Sequence, residues 1–406
     1  MSKNRRRLLL ALLITSGILN YADRQIIAVL KPLLQDQLHW SDSDYGRLTA
    51  LFQFAAAFAY LGAGWVVDRV GWRRANPLAV GTWSLAAMSH AVVRTMGQFS
   101  LARIALGATE SLGTPTAIKT IAALFTARER SAALGGMNAA GNVGAIITPL
   151  FVPTLALTWG WQSAFLVTGG AGILWVAAWQ WAARGASDPP DQPDPQSMLR
   201  GQPLRWREVL LDRRTWAIAG GKVLSDQVWW FLLFWMPDFF HRQFNLDMRG
   251  FAAPLAVVYC AAALGSLAGG FISGRLIAAH WPVMAARQTT MLVCALLALP
   301  VPVALWVGNY WFAVALLSVT LAAHQGFSVN LFALTTDVTP GSRVGTVISV
   351  AALFGNLSGM AVLQAAGWLL DDGYGYGPLF GLASVAYLLA LGWVRLLLPK
   401  SPAAAI

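Results

Sequence analysis

Leu8-Leu-Leu-Ala-Leu-Leu-Ile-Thr-Ser-Gly-Ile-Leu-Asn20-Tyr21-Ala-Asp23-Arg24-Gln-Ile-Ile-Ala-Val-Leu30 is long enough to cross a bilayer, yet it carries an acid and a guanidinium side by side. About 20 apolar residues in a helix span the hydrocarbon core, and ionised groups within it are costly unless they face protein or a water-filled interior. On such a helix Asn20 lies three and four residues below Asp23 and Arg24. All three can therefore point into one interior, with Arg24 about 100° round from Asp23. Two readings stand: a neutral pair that locks helices together, or a site where an acid takes up a proton and a guanidinium holds an anion. Lys3, Arg5, Arg6 and Arg7 ahead of the leucines imitate a signal peptide. The length of the apolar run, its two charges, the absence of a small-residue cleavage pattern and the many similar segments downstream make it a retained first span.

Working outward, 57% of the 406 residues are hydrophobic and only 12% charged, with mean hydropathy +0.56. That balance belongs to a polytopic membrane protein whose surroundings are lipid. The net charge of +11 would suggest nucleic acid in a soluble protein, but here its distribution matters more than its sum, and no nucleic-acid partner is expected. Cys260 and Cys294 sit in apolar runs without metal-ligand spacing and read as packing residues.

Apolar windows predict spans near 8–34, 45–67, 75–96, 99–124, 131–155 and 161–183, then near 214–239, 249–275, 282–306, 309–335, 342–367 and 376–398. Between the sets, Arg184 to Asp212 is polar and proline-rich and reads as a linker. The expectation is an all-α protein with twelve transmembrane helices in two six-helix bundles, 1–183 and 213–406, joined by the cytoplasmic linker 184–212. Placing both termini and the linker on one side collects 20 of the 29 basic residues there, against Arg94, Arg242 and Arg249 on the other. The positive-inside rule makes that side the cytoplasm. Tandem halves with a site at their interface near the bilayer midplane are the architecture of an alternating-access transporter.

The loop after the second span, Gly64-Trp-Val-Val-Asp68-Arg69-Val-Gly71-Trp-Arg73-Arg74, has a weaker echo after the eighth in Gly270-Phe-Ile-Ser-Gly274-Arg275. The pattern G-x-x-x-D-R-x-G-x-R-R resembles the signature loop of the major facilitator superfamily, and every specified position is filled. Its glycines suit a tight turn and close helix contact. Asp68 near the helix ends can pair with arginines of a neighbouring segment, so that Asp68, Arg69 and Arg73 read as parts of a latch that breaks during the cycle. Three further stretches resemble the sugar-acid symporters of that superfamily, within its anion:cation symporter family. Asn20-Tyr21-Ala-Asp23-Arg24 is similar to their first-helix motif. Lys222-Val-Leu-Ser-Asp226-Gln-Val-Trp229-Trp230-Phe231-Leu-Leu-Phe-Trp235-Met-Pro237 is similar to the seventh helix of the hexuronate transporters, and Ala323-His324-Gln325-Gly-Phe-Ser-Val-Asn330-Leu-Phe to their tenth. The resemblance implies proton-driven import of a hexose-derived sugar acid such as glucuronate or galacturonate, by a monomer in the bacterial cytoplasmic membrane, with the proton as coupling ion and no other cofactor. Relatives often carry a tyrosine in the second helix roughly where this chain has Ala56, with Tyr60 one turn later.

Arg103 and Glu110, two turns apart in the fourth span, share a face. With Asp23 and Arg24 they make two acids and two bases, formally neutral, which lowers the cost of burial. Burial and a nearby guanidinium act on a carboxylate's proton affinity in opposite directions, so their competition can bring protonation into a useful range. The resemblance implies that Asp23 and Glu110 carry protons and that Arg24 holds the substrate carboxylate, with Tyr21 among the substrate contacts. It also implies that Arg103 pairs with an acid as part of the gate. In this scheme protonation of Asp23 releases Arg24, whose planar fork then takes the anion.

In the second half Lys222 and Asp226, four apart, either pair along one helix face or leave Asp226, with Gln227, to take sugar hydroxyls. Most of the aromatic run 229–235 reads as packing, with one tryptophan, Trp229 for instance, able to stack on a sugar face. His324 is either a hydrogen-bonded structural residue or, with Gln325, a substrate contact. Asn138 and Asn142 share a face in the fifth span, as Ser349 and Asn356 do in the eleventh. Asn142 and Asn356 are amides of the kind that read sugar hydroxyls, although such side chains also bridge membrane helices. Glycines 135, 136, 141 and 144, and 265, 269, 270 and 274, read as close-packing surfaces. No Walker loop, dinucleotide fingerprint or H-E-x-x-H motif occurs, so secondary transport is expected and enzyme activity is not. The alternatives are a proton symporter of another organic anion, an aldonate or aldarate, and a non-transporting membrane sensor.

Overall fold

The computed structural model describes residues 3–184, 206–340 and 343–398; most of the predicted linker, and the side chain of Asn138, lie outside the described residues. Among those described, all regular structure is helical. The first half holds α1 (Lys3–Leu38), α2 (Asp42–Val70), α3 (Trp72–Ser89), α4 (Met96–Glu110), α5 (Gly113–Leu124), α6 (Ala127–Trp159) and α7 (Gln162–Ala183). After the short α8 (Trp206–Leu211) follow α9 (Arg213–Phe244), α10 (Ala252–Ala278), α11 (Val283–Ala298), a 3-10 turn (Val301–Leu305), α12 (Tyr310–Val338), α13 (Val344–Asp371) and α14 (Gly377–Leu397). Eight of these segments, α2, most of α6, α7, α10, α11 with its 3-10 turn, α12, α13 and α14, are long and apolar enough to cross a membrane. The other predicted crossings are α1, α3, the α4–α5 pair and α9, which are shorter or carry the internal charges.

Loop chemistry sets several helix starts. Ser41 before α2 accepts from the Asp44 amide (3.0 Å) while the Asp44 carboxylate accepts from the Ser41 amide (3.2 Å), and Thr95 with Gln98 repeats the box before α4. Between α2 and α3, Gly71 has φ +79°, a left-handed turn that only glycine adopts without strain. The fourth predicted span is broken at Ser111–Leu112. Pro115 explains the break: in a continuous helix it could not donate to the Ser111 carbonyl and its ring would clash there, whereas in the first turn of α5 it is tolerated.

The helices pack as two compact units. One comprises Met1–Gln192, Leu233–Val257 and Leu363–Asp371; the other comprises Pro193–Leu232, Val258–Val362 and Asp372–Ile406. In the first, α1 packs on α6 and α7, α2 on α4, and α3 on α7; in the second, α11 packs on α12 and α14. The predicted close-packing glycines divide. A Cβ at Gly144 would lie 2.6 Å from the Ile18 carbonyl oxygen, and one at Gly269 would lie 2.4 Å from the Cα of Gly326, so two backbones touch at each place. At Gly64, Gly135 and Gly274 a Cβ would meet nothing within 4 Å among the described residues, so no close contact of the expected kind is seen there.

Candidate functional site

In the first unit, α1 brings Tyr21 and Arg24 against α2, α4 and α6, and Asp23 against α7. Gly107 lets α4 approach α2 so closely that a Cβ there would stand 2.3 Å from the Phe52 carbonyl oxygen. Arg103 and Glu110, one turn either side of Gly107, are thereby drawn into the same interior. Arg24 is held by Glu110: its Nε and Nη2 donate to one carboxylate oxygen, Oε2, at 3.0 and 2.8 Å, and Nη2 also donates to Asn20 Oδ1 at 3.3 Å. The guanidinium lies over the rings of Tyr21 (5.0 Å) and Phe52 (5.3 Å). Asp23 is fully buried, and neither of its carboxylate oxygens has a hydrogen-bond partner among the described residues. The Thr168 hydroxyl beside it is committed to the Ala164 carbonyl at 3.0 Å.

Two expectations change here. Arg24 pairs with Glu110 rather than with its neighbour Asp23, because adjacent helical residues point about 100° apart while Glu110 approaches from another helix. Arg103 pairs with no acid: it is fully buried, its three guanidinium nitrogens have no hydrogen-bond partner among the described residues, and it stacks 4.6 Å above Phe52. Phe52 thus lies under both guanidiniums, a role the sequence reading missed. It supplies an aromatic face one turn before Ala56, and Tyr60 is within electrostatic reach of Arg24. A cavity of about 240 Å³, walled by Ser16, Asn20, Tyr21, Trp83 and Thr114 among others, opens beside this cluster. Asn142 is half-buried on α6.

In the signature loop Asp68 pairs with Lys119 of α5 at 2.9 Å, and Lys119 also donates to the Val67 carbonyl at 3.0 Å. Arg69 lies over Trp65 (5.3 Å) and Arg73 over Trp72 (5.6 Å).

A second charged cluster in this unit was not anticipated. Lys31, fully buried, donates to Asp238 (2.6 Å), Asp42 (2.8 Å) and Gln35 (2.9 Å), while Arg242 pairs with Asp42 (2.6 Å) and Asp238 (2.9 Å). Two cations and two acids from α1, α2 and α9 close into a neutral network. Asp371 at the end of α13 caps α2 beside it, accepting from the amides of Asp42 (2.9 Å) and Ser43 (2.8 Å). The available signal was that Lys31 lies two turns after Arg24 on the same helix.

In the second unit Lys222 and Asp226 do pair along α9, at 2.7 Å, and Asp226 reaches α13 at Gly355, where a Cβ would be 2.6 Å from Oδ2. The His324 ring is stacked on Trp229 (centroids 5.3 Å apart), and its Nδ1 meets the Tyr387 hydroxyl at 3.0 Å, the geometry of the structural alternative. Gln325 is half-buried. Asn356 and Ser349 each donate to their own helix, at the Ala352 (2.8 Å) and Gly345 (3.0 Å) carbonyls.

Residues 13–363 match the family model described as Major Facilitator Superfamily. The chain is 25% identical over 417 residues to the hexuronate transporter of Escherichia coli (strain K12), covering 99% of this chain and 96% of that protein. It is 24% identical over 414 residues to the D-galactonate transporter of Escherichia coli O6:H1, covering 97% and 95%. Among solved structures, a bacterial homologue of the human lysosomal transporter Spinster, described as inward-facing and unoccupied, superposes with a TM-score of 0.78 at 19% identity, over 98% of this chain and 96% of that one. That likeness is one of fold.

Proposed function

Because the chain belongs to the major facilitator superfamily, we propose that it is a proton-coupled symporter that imports a hexuronate-type sugar acid by alternating access. The observation that carries the coupling is the buried Arg24–Glu110 pair, two N–H groups on one carboxylate oxygen. Protonation of Glu110 removes the charge that holds Arg24, and the planar guanidinium is then available to a substrate carboxylate. With the anion on Arg24, loss of the Glu110 proton would put two carboxylates in competition for one cation. Proton and anion therefore strengthen each other's binding, a reciprocal coupling. Asp23, buried with no hydrogen-bond partner among the described residues, is assigned as a second proton carrier.

Tyr21 and Asn142 in the first unit, with Asp226, Trp229, Gln325, Asn356 and His324 in the second, are assigned to substrate hydroxyls and the apolar sugar face. Arg103, Asp68, Arg69 and Arg73 are assigned to gating. Each predicted apolar window falls on one of the described helices, or on two consecutive ones. Together with the one-sided distribution of basic residues, this supports twelve crossings in two six-helix bundles of the bacterial cytoplasmic membrane, with both termini and the 184–212 linker inside. The protein is assigned as a monomer that needs no cofactor beyond the coupling proton.

The relative named as a D-galactonate transporter favours one second reading, an aldonate as substrate. Uptake by proteoliposomes under an imposed inward proton gradient tests both, with glucuronate, galacturonate, galactonate and galactarate offered in turn. Hexuronate accumulation that collapses with the gradient is expected. Accumulation of aldonates alone would establish the second reading, and accumulation of none of the four would remove both.

A further inference from the structure

A groove of about 420 Å³ lies outside the site described above, on the first unit between the start of α3 and the end of α7. Arg73, Arg74 and Arg184 line one end of it, and Leu78 and Val176 form its apolar wall. Arg5 adds a fourth cation alongside, its Nε donating to the Ala182 carbonyl at 2.7 Å and another nitrogen to the Arg184 carbonyl. The side chains of Arg74 and Arg184 are exposed and meet no carboxylate among the described residues. Arg74 and Arg184, two like charges lining one groove, repel unless an anion neutralises them.

The depth of the groove is marked by Trp181, 65% exposed in the last turn of α7 beside the groove-lining Gln180, Ala183 and Arg184, with buried tryptophans packed behind it. Trp179 donates its indole N–H to the Arg73 carbonyl (3.2 Å), stacks on Trp175 (5.1 Å) and meets Trp72 edge-on (6.2 Å). Tryptophans concentrate where hydrocarbon gives way to headgroups. A groove that is cationic at that level and apolar beyond it, with Leu78 41% exposed, is complementary to a molecule with a phosphate at one end and a hydrocarbon chain at the other. Arginine suits the phosphate because its fork binds two oxygens at once.

We propose that this groove binds an anionic phospholipid, with Arg74 and Arg184 clamping the phosphodiester and Leu78 and Val176 receiving the first segment of an acyl chain. The assignment does not depend on the transported substrate. Each interfacial arginine strengthens binding of anionic lipid about fivefold, so removing both weakens it about thirtyfold.

The test is native mass spectrometry of the delipidated full chain titrated with phosphatidylglycerol, phosphatidylcholine or inorganic phosphate. Arg74→Gln/Arg184→Gln is compared with a control that removes two exposed arginines elsewhere, Arg94→Gln/Arg249→Gln. Phosphatidylglycerol adducts on the unaltered chain and the control, about thirtyfold weaker on the double variant, are expected. Equal phosphatidylglycerol affinity on the double variant, equal binding of phosphatidylcholine, or displacement of the lipid by millimolar phosphate would overturn the proposal. Photoreactive phosphatidylglycerol on the unaltered chain gives a reading independent of variant folding: crosslinks within 73–78 and 176–184 are expected, and crosslinks confined elsewhere contradict it.

Discussion

At Arg24 the geometry of a single guanidinium separates neighbouring acids. Asp23 is adjacent in sequence yet turned away, and Glu110, from another helix, accepts from both Nε and Nη2. Glu110→Gln removes the titrating charge while keeping the shape. The expected result is substrate binding and exchange with no concentration against a gradient, measured as the ratio of internal to external label at steady state. Arg24→Lys keeps the charge but loses the fork; affinity for the sugar acid should fall by about tenfold or more, measured by calorimetry. Lys31 is a structural case at the same scale. Removing one partner from a buried charged network leaves the others uncompensated, at a cost of about 3–5 kcal/mol, so Lys31→Met should markedly lower the unfolding temperature. The identity of the buried charges was legible in the sequence, because ionised residues within apolar windows have few explanations. Their pairing was not, since which helix supplies a partner depends on close approaches such as that of Gly107 to Phe52, and one glycine among many gives no sign of them.

Among the elements, hydropathy and proline placement carried most of the information. Each predicted window corresponds to described helix, while the break at Ser111–Leu112 escaped a window average that is blind to one missing backbone donor at Pro115. Glycine spacing was a weaker guide, because it marks where backbones are able to meet and not where they do. Gly144 and Gly64 make the contrast measurable. Gly144→Val would drive a side chain into the Ile18 backbone, 2.6 Å from where its Cβ must sit, whereas Gly64→Ala enters open space. Overpacking of this kind costs about 1–3 kcal/mol, so thermal unfolding should show a clear loss for the first and almost none for the second. The signature loop divides similarly. The positive φ at Gly71 accounts for one glycine, and Asp68, expected to meet arginines, also has Lys119 of α5 as a partner, which the loop pattern did not announce.

For the whole molecule, the family and the apolar, helical character were readable early because both are written in composition and in one loop. The network of Lys31, Asp42, Asp238 and Arg242 was not, since its members come from α1, α2 and α9, as far as 207 positions apart, and only the fold brings them together. In the proposed function such local charge exchanges drive transport, and the central claim is that sugar acid and proton bind together through Arg24 and Glu110. Adding substrate to purified protein in weakly buffered solution, and following the pH of the medium, measures that coupling without a membrane. Proton uptake on binding, seen as alkalinisation and lost in Glu110→Gln while binding persists, is the predicted result. Binding that leaves the pH unchanged, or that releases protons, would contradict the account.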